Sequence, residues 1–134
     1  MKIGMIAGNF DVIHPGYVRM FNDMNKYVSE IYVLLHIDPS IDRPEKIKPL
    51  FSVEDRTMTL MALKGVSKVF TYTSESDLLD LINKIKPDVR FLGDDYKNRN
   101  NYTGYGMSPK IIFLSRDHGW STTKFKKLIS NSFK

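Results

Sequence analysis

Short apolar runs rich in β-branched residues alternate with stretches in which apolar side chains recur every three or four positions. The first kind of pattern predicts strands and the second predicts amphipathic helices. Five strands are predicted, at Lys2–Ala7, Ile31–Ile37, Val66–Tyr72, Val89–Leu92 and Lys110–Leu114. Four helices are predicted, from Pro15 to Val28, from Ser52 to Leu63, over Asp77–Lys86, and from Ser121 or Thr122 through Ile129.

Capping and helix-breaking residues indicate where several of these helices begin and end. Ser52 followed by Asp55 is typical of a reciprocal cap, and Ser76 is the predicted cap of the third helix. Gly65 and Pro87 are residue types that end helices.

The repeated strand–helix order predicts the fold class. It indicates an α/β, Rossmann-like doubly wound sheet of about five parallel strands with helices on both faces, in one domain over residues 1–134. Such sheets bind ligands at the carboxyl ends of the strands, where strand order reverses. The loops expected to matter are Gly8–His14, Asp38–Phe51, Gly93–Pro109 and Ser115–Ser121.

Composition narrows the classes of partner. The 134 residues are 42% hydrophobic, which argues against a disordered chain. They contain no apolar run long enough to span a bilayer, which argues against a membrane protein. The absence of cysteine excludes disulfides and thiolate chemistry and, with no leader pattern, favours the cytoplasm. A net charge of +5 suggests an anionic partner: nucleic acid, a membrane surface or a phosphorylated small molecule.

The segment Gly8–Tyr17 joins the first strand to the first helix and is a candidate phosphate site. Gly8 permits close backbone approach, and amides around Gly16 at the helix start would face an anion. His14 can donate a hydrogen bond to a phosphate oxygen. The alternative is that the polar residues form a tight turn and that His14 is a cap or a surface residue.

The segment Arg116–Lys124 joins the last strand to the last helix. Three consecutive hydroxyls, Ser121 to Thr123, stand at the helix start, and Arg116 could hold phosphate charge. The alternative is an ordinary hydroxyl cap beside a solvated arginine.

Two other loops carry charged candidates. Asp94 and Asp95 could orient a base, a ribose hydroxyl or a magnesium-bound water, or could be ordinary loop acids. Lys46 and Lys48 could reach phosphates, although surface lysines are usually only solvated.

The three histidines, His14, His36 and His118, all lie at predicted carboxyl ends of strands. A three-histidine zinc site is therefore conceivable, but no His-x-x-x-His spacing supports it. His36 could simply end its strand.

Three of these segments together resemble the motifs of the cytidylyltransferase-like nucleotidyltransferases, and most of all the glycerol-3-phosphate cytidylyltransferases among them. The opening motif appears as Gly8-Asn9-Phe10-Asp11-Val12-Ile13-His14-Pro15-Gly16-Tyr17. The Gly-Asp-Asp-Trp box appears as Gly93-Asp94-Asp95-Tyr96, and the closing motif as Arg116-Asp117-His118-Gly119-Trp120-Ser121-Thr122-Thr123. The order of the motifs and their positions after strands make the resemblance specific, and it covers nearly the whole chain.

The resemblance implies a reaction in which a phosphate monoester attacks the α-phosphorus of a nucleoside triphosphate and releases pyrophosphate. It implies CTP, accompanied by Mg²⁺, and a small phosphorylated alcohol such as glycerol 3-phosphate. Residues Thr73–Tyr96 also resemble adenylyltransferases acting on heptose phosphates, so ATP with a sugar phosphate is the alternative. A homodimer is expected, with no nucleic acid or membrane partner and no metal ligand supplied directly by the protein.

The resemblance also implies residue roles. The catalytic residues would be His14, Lys46, Lys48 and Arg116. Asp38 and Arg56 would contact the acceptor substrate. The nucleotide would be bound by Gly8, Asn9, Phe10, Asp11, Gly16, Tyr17, Gly93, Asp94, Asp95, Arg116, Gly119, Trp120, Ser121, Thr122 and Thr123.

Three positions depart from the family pattern. Tyr17 replaces the second histidine of the opening motif, Asn9 replaces a threonine, and Trp120 replaces a small aliphatic residue. A phenol carries no positive charge near neutral pH, so Tyr17 should stabilise a transition state less well. A further alternative is therefore a nucleotide-binding module with weakened catalysis.

Overall fold

The fold was obtained as a computed structural model, which describes residues 2–42, 44, 48–115 and 122–132. Its strands are β1 (Ile3–Gly8), β2 (Glu30–His36), β3 (Val66–Tyr72), β4 (Val89–Gly93) and β5 (Ile111–Leu114). Its helices are α1 (Pro15–Met24), α2 (Pro39–Asp42), α3 (Val53–Met61), α4 (Glu75–Ile85) and α5 (Thr122–Ser132). A 3-10 turn, Asp94–Tyr96, follows β4.

The five strands form one parallel sheet in the order β3-β2-β1-β4-β5. Successive connections from β1 lead outward to β2 and β3, and the chain then returns to place β4 on the other side of β1. The order therefore reverses between β1 and β4, where a cleft is expected at the carboxyl ends. The predicted doubly wound sheet is confirmed.

Helices bury apolar side chains on both faces of the sheet. On one face, Met20, Phe21 and Met24 of α1 and Leu60 of α3 belong to the larger core cluster. On the other face, Leu78 and Ile82 of α4 pack in a smaller cluster with Met5, Leu34 and Tyr72. Full burial of each large apolar side chain contributes about 1.5–3 kcal/mol, so these two clusters fix the layers.

Helix α4 begins earlier than predicted. Ser74, not Ser76, is its cap: the Ser74 hydroxyl accepts a hydrogen bond from the Asp77 amide at 3.1 Å. The Asp77 carboxylate in turn accepts from the amides of Ser74 and Thr73 and from the Thr73 hydroxyl. This reciprocal pair satisfies more donors than a cap at Ser76 would, so Glu75 is already helical.

Other boundaries differ where side chains bond to backbone groups. Helix α1 ends at Met24 because the Asn25 side-chain amide donates to the carbonyls of Phe21 and Lys64, at 2.9 and 2.8 Å. The predicted loop Asp38–Phe51 contains the short helix α2.

Among the described residues, no helix is both long and apolar enough to cross a membrane.

Candidate active site at the switch between β1 and β4

The chain leaves β1 through a strained and tightly packed turn. Phe10 has a φ of 46°, is buried, and packs against Tyr17 and Phe21 with ring centroids 5.5 and 6.0 Å away. A Cβ on Gly8 would lie 3.3 Å from the Phe10 ring. Gly8 thus allows the ring to fold back over the strand end, and this packing positions the loop that continues to His14.

His14 is the N-cap of α1 and is only 3% exposed. Its Nδ1 accepts a hydrogen bond from the Gly16 amide at 3.1 Å, which requires Nδ1 to be unprotonated. In the neutral imidazole the proton then resides on Nε2, so that atom is a donor. The ring stacks on Tyr17 at a centroid distance of 4.4 Å and an angle of 25°, which fixes its orientation.

The amides at the start of α1 serve this cap. The Tyr17 amide donates to the His14 carbonyl at 3.0 Å, and the Gly16 amide donates to the His14 ring. The expectation that these two amides face an anion is therefore not met. The interpretation of His14 as a helix cap is confirmed. Because Nδ1 accepts the capping hydrogen bond, Nε2 is the donor atom of the neutral ring.

Asp11 connects three elements around the site. Its carboxylate accepts from the amides of Leu50 and Phe51 at 2.8 and 2.9 Å and pairs with Lys126 of α5 at 2.5 Å. Burial acts to raise the pKa of Asp11, but these hydrogen bonds and the Lys126 charge outweigh it, so the pKa is lowered. The Asp11 carboxylate thus binds protein donors at the place where nucleotide contact was expected.

Arg56, expected to contact the acceptor, is 2% exposed and joins the ends of β1 and β2 to α3. Its guanidinium donates to five backbone carbonyls, those of Asn9, His36, Ile37, Phe51 and Ser52. Burial lowers the pKa of Arg56, opposed by the charges of Asp11 and Asp38. This geometry makes Arg56 a positioning residue for the two loops.

Asp38 and Lys48 both lie in the loop after β2, and their charges attract each other. Asp38 accepts from the Ser40 amide and hydroxyl at 2.9 and 2.5 Å, which starts helix α2. The Ser40 hydrogen bonds, with weaker attraction from Lys48 and Arg56, lower the pKa of Asp38. Lys48 is exposed, and Lys46 lies outside the described residues.

The other side of the cleft is formed by β4 and the turn after it. Gly93 is buried and pairs with Leu114, while Asp94 is exposed as the first residue of the 3-10 turn. Thr123 is exposed near the start of α5. Six expected contacts lie outside what the structure describes, namely Arg116, Gly119, Trp120, Ser121 and the side chains of Asp95 and Thr122.

Helix α5 reaches the site through two residues that the sequence analysis missed. The Phe125 ring lies 6.3 Å from the His14 ring, and Lys126 pairs with Asp11. Helical spacing could have identified both residues, because Phe125 and Lys126 stand three and four positions after Thr122 and so share its face of the helix. The first turns of α5 are therefore held beside the loop that carries Asp11 and His14.

His36 contacts the end of strand β3 and the residue after it. Its Nε2 lies 3.0 Å from the Thr73 carbonyl, and its ring stacks on Tyr72 at 4.7 Å. Within the ranges that the structure describes, no three side chains form a possible metal site. His118 lies outside those ranges.

The fold and the site together define a nucleotide-binding α/β protein. A histidine at the start of α1, an exposed lysine in the loop after β2 and an exposed aspartate after β4 all follow carboxyl ends of strands, and these residue types suit binding of phosphate and ribose. The sequence profile described as Cytidylyltransferase-like matches residues 5–130, so the chain belongs to the cytidylyltransferase-like family. It is a nucleotidyltransferase, as the motifs predicted.

Named relatives refine this assignment. The chain is 28% identical over 119 residues to the FAD synthase of Methanohalophilus mahii, covering 85% of this chain and 82% of that protein. It is 32% identical over 128 residues to the bifunctional protein HldE of Hyphomonas neptunium, covering 92% of this chain but 26% of HldE. The chain thus spans about a quarter of HldE. The expected family is confirmed, whereas these relatives do not single out glycerol-3-phosphate cytidylyltransferase.

A solved structure shares the fold. The lipopolysaccharide core biosynthesis protein from Thermoplasma volcanium superimposes with a TM-score of 0.69 at 27% identity, covering 86% of this chain and 97% of that one.

Proposed function

We propose that the chain transfers an adenylyl group from ATP to the phosphate of a small phosphate monoester and releases pyrophosphate. The match to an FAD synthase over most of both chains carries this proposal. FAD consists of FMN and AMP joined through a diphosphate, so an FAD synthase that starts from FMN must attach an adenylyl group to a phosphate monoester. The match to HldE supports the same class of transfer.

The reaction needs no covalent intermediate with the protein. An oxygen of the acceptor phosphate forms a bond to the α-phosphorus, and the bond from that phosphorus to the bridging oxygen of the β-phosphate breaks. Pyrophosphate leaves with the electron pair. The protein contributes by positioning two anions and stabilising the charge that develops on the α-phosphate and the leaving group.

His14 is the proposed centre of this charge stabilisation. The Gly16 amide and the Tyr17 ring hold the imidazole so that Nε2 carries the proton. A donor fixed in this way needs little reorganisation when negative charge grows on a phosphate oxygen.

The remaining contacts follow from the loops around His14. Lys46, Lys48 and Arg116 would hold phosphate charge, and the hydroxyls of residues 121–123 would bind the β- and γ-phosphates. Asp94, exposed at the end of β4, would contact the nucleoside. Asp11 and Arg56 would position these loops from behind, as their buried contacts indicate.

Mg²⁺ enters the proposal with the triphosphate. Mg²⁺ keeps several waters and binds mainly through phosphate oxygens, and it would neutralise charge on the leaving pyrophosphate.

A cytidylyl transfer from CTP to glycerol 3-phosphate is the second candidate. The box Gly93–Tyr96, with its adjacent acidic residues, favours it, because this box looks more like that of the cytidylyl enzymes. The two candidates share the site and the step and differ in the base and the acceptor.

A substrate matrix tests both candidates. ATP, CTP, GTP and UTP are each combined with FMN, sugar phosphates and glycerol 3-phosphate, with and without Mg²⁺, and pyrophosphate is measured. The proposal predicts pyrophosphate with ATP and at least one acceptor, and its loss when Mg²⁺ is chelated. Turnover with CTP alone would favour the second candidate, and no turnover with any pair would contradict both.

We also propose that the protein works in the cytoplasm, where these triphosphates are available, and as a homodimer. Exposed apolar side chains are concentrated between β2 and the end of α3, at Ile41, Leu50, Phe51, Met58 and Met61. Concentrations of this kind often mark protein interfaces.

A further inference from the structure

Arg90 is buried beneath the connection from β4 to β5. It is 4% exposed and lies on β4, in register with Ile111 of β5. A Cβ on Gly104, in the connection, would lie 2.6 Å from Arg90 Nη1 and 2.8 Å from Ile82 of α4. The backbone of the connection is thus pressed directly onto the arginine and onto the helix beside it.

The described contacts of the Arg90 guanidinium lead to this one connection. Nη1 donates to the Thr103 carbonyl, and the guanidinium carbon lies 5.2 Å from the centre of the Tyr102 ring. Among the described residues, Arg90 Nε has no hydrogen-bond partner and no carboxylate forms an ion pair with the side chain. Burial lowers the pKa of Arg90, and the nearby tyrosines 102, 72 and 96 act in the opposite direction.

Burying a cation that no described carboxylate neutralises is costly, and an apolar side chain of the same size would cover this face of the sheet at lower cost. Among the described residues, the groups that contact this charge are the Thr103 carbonyl and the Tyr102 ring of the connection. Arg90 therefore holds that segment more specifically than apolar packing would.

The connection needs such an anchor because it has no helix to cover the sheet. Beyond the 3-10 turn, residues 97–110 form turns and irregular structure. Tyr102 packs edge-on against Tyr96, the last residue of the 3-10 turn, at 6.0 Å and 84°. The turn begins with Asp94, so a continuous path of contacts runs from Arg90 through Tyr102 and Tyr96 to the cleft.

We propose that Arg90 is a positioning residue for nucleotide binding: it anchors the β4–β5 connection through Tyr102 and Thr103, and so fixes the turn that presents Asp94. This inference rests on the proposed function, because it assigns nucleotide contact to Asp94. Arg90 itself touches neither substrate and acts through the turn.

The test compares Arg90→Met with Lys68→Met. Met retains much of the length of arginine and removes its charge, so the face stays covered. Lys68, an exposed residue of β3, lies over the Tyr32 ring at 5.5 Å and provides the same change in a cation–aromatic pair far from the connection. Melting temperatures establish that both variants are folded.

Two readouts distinguish positioning from general stability. In Arg90→Met, hydrogen exchange of the Lys97 and Arg99 amides, which bond within the turn, should speed up about tenfold while β1 and β2 stay protected. The KM for the triphosphate should rise about tenfold while kcat changes less than about threefold. Arg90→Lys, which keeps the charge but not the planar stacking, should lie between wild type and Arg90→Met.

The outcomes separate this inference from the proposed function. Unchanged exchange in the turn, or faster exchange with an unchanged KM for the triphosphate, would overturn the role of Arg90 while wild-type turnover remained. Equal effects in Lys68→Met would also overturn it. A wild-type chain that turned over no triphosphate would overturn the proposed function and, with it, the nucleotide part of this inference.

Discussion

At the scale of single residues, the His14 ring caps helix α1, and the proposed function gives the same ring a chemical role. Nδ1 caps α1 through the Gly16 amide, and this bond leaves the proton on Nε2. The two roles are separable by substitution, since asparagine is a good N-cap but places no donor where Nε2 stands.

Substitution of His14 should therefore affect turnover and stability differently. His14→Asn and His14→Ala should both lower kcat by a factor of about 10²–10³, as expected for loss of a charge-stabilising donor. Only His14→Ala should also lower the free energy of unfolding by about 1 kcal/mol through the lost cap. Steady-state kinetics and urea unfolding measure the two effects, and full activity in His14→Asn would exclude the chemical role.

Tyr17 replaces a histidine of the family motif and stacks on His14. Tyr17→His should keep the stacking and add a group able to carry positive charge, so kcat should rise about tenfold, or about 1.4 kcal/mol. Tyr17→Phe, which keeps only the ring, is the matched control. A lower kcat in Tyr17→His would show that the tyrosine is the better residue in this site.

The sequence indicated which residues belong to the candidate site, but it did not predict the contacts that they make. The motif pointed to His14 and Tyr17, but it did not show that their rings stack or that the His14 ring caps the helix by accepting from the Gly16 amide. Such contacts depend on how a turn is packed, and Phe10 at positive φ determines that packing here. Lys126 was missed because its partner Asp11 lies 115 residues away in the chain.

At the scale of elements, two buried charges connect the loops of the site. Arg56 bonds to carbonyls at the ends of β1 and β2 and before α3. Asp11 bonds to the loop before α3 and to α5. The loops are thus held to the sheet edge by charge-assisted hydrogen bonds, which are stronger than neutral ones.

Arg56→Lys should destabilise the fold rather than weaken acceptor binding specifically. A lysine cannot reach five carbonyls arranged around a planar guanidinium, so buried acceptors lose their donors. The free energy of unfolding should fall by about 3 kcal/mol, measured by urea unfolding. An unchanged unfolding midpoint with a raised acceptor KM would instead support direct substrate contact, as the family resemblance implied.

Asp11 should make stability depend on pH. Its pKa is lowered in the folded state, so the stabilisation is fully present above the unfolded value of about 3.8 and is lost as pH falls through the folded pKa. Asp11→Asn should therefore lower the free energy of unfolding by about 2 kcal/mol at pH 7 and by clearly less near pH 3.

The control for Asp11 is Asp23→Asn. The Asp23 carboxylate is 54% exposed and pairs with Lys26 at 3.3 Å, so its removal should change stability by less than about 0.5 kcal/mol. Urea unfolding at both pH values measures each variant against wild type. An Asp11→Asn effect that does not shrink at low pH would contradict the role given to the ionised carboxylate.

Most elements followed from periodicity, and the exceptions have local causes. All five strands and the four long helices were predicted. The predicted start of α4 was wrong because Ser74, two residues before the predicted cap Ser76, forms a reciprocal cap with Asp77. Helix α2 has only four residues, Pro39–Asp42, which is too short for a periodic signal.

At the scale of the whole molecule, the alternation of strands and helices was enough to predict the doubly wound sheet, because crossover handedness limits the possible topologies. It also indicated where the candidate site lies, since ligands bind such sheets where strand order reverses. Substrate identity did not follow from the fold, because sheets of this kind serve many chemistries.

The proposed homodimer makes a prediction at this scale. Met58 and Met61 are 67% and 46% exposed on one face of α3. Replacing both with glutamate should shift the protein from dimer to monomer in sedimentation velocity, because like charges would face each other across a symmetric contact. Val18→Glu on α1, also at an exposed apolar position, is the control. A wild-type protein that sediments as a monomer would contradict the proposal.

Nucleotidyl transfer at His14 can be followed by phosphorus NMR of a reaction with ATP, Mg²⁺ and the acceptor found in the substrate matrix. We expect wild type to form one pyrophosphate for each new diphosphate linkage to the acceptor, and His14→Asn to form neither at a comparable rate. Release of inorganic phosphate without a diphosphate product, or equal product from His14→Asn, would contradict it.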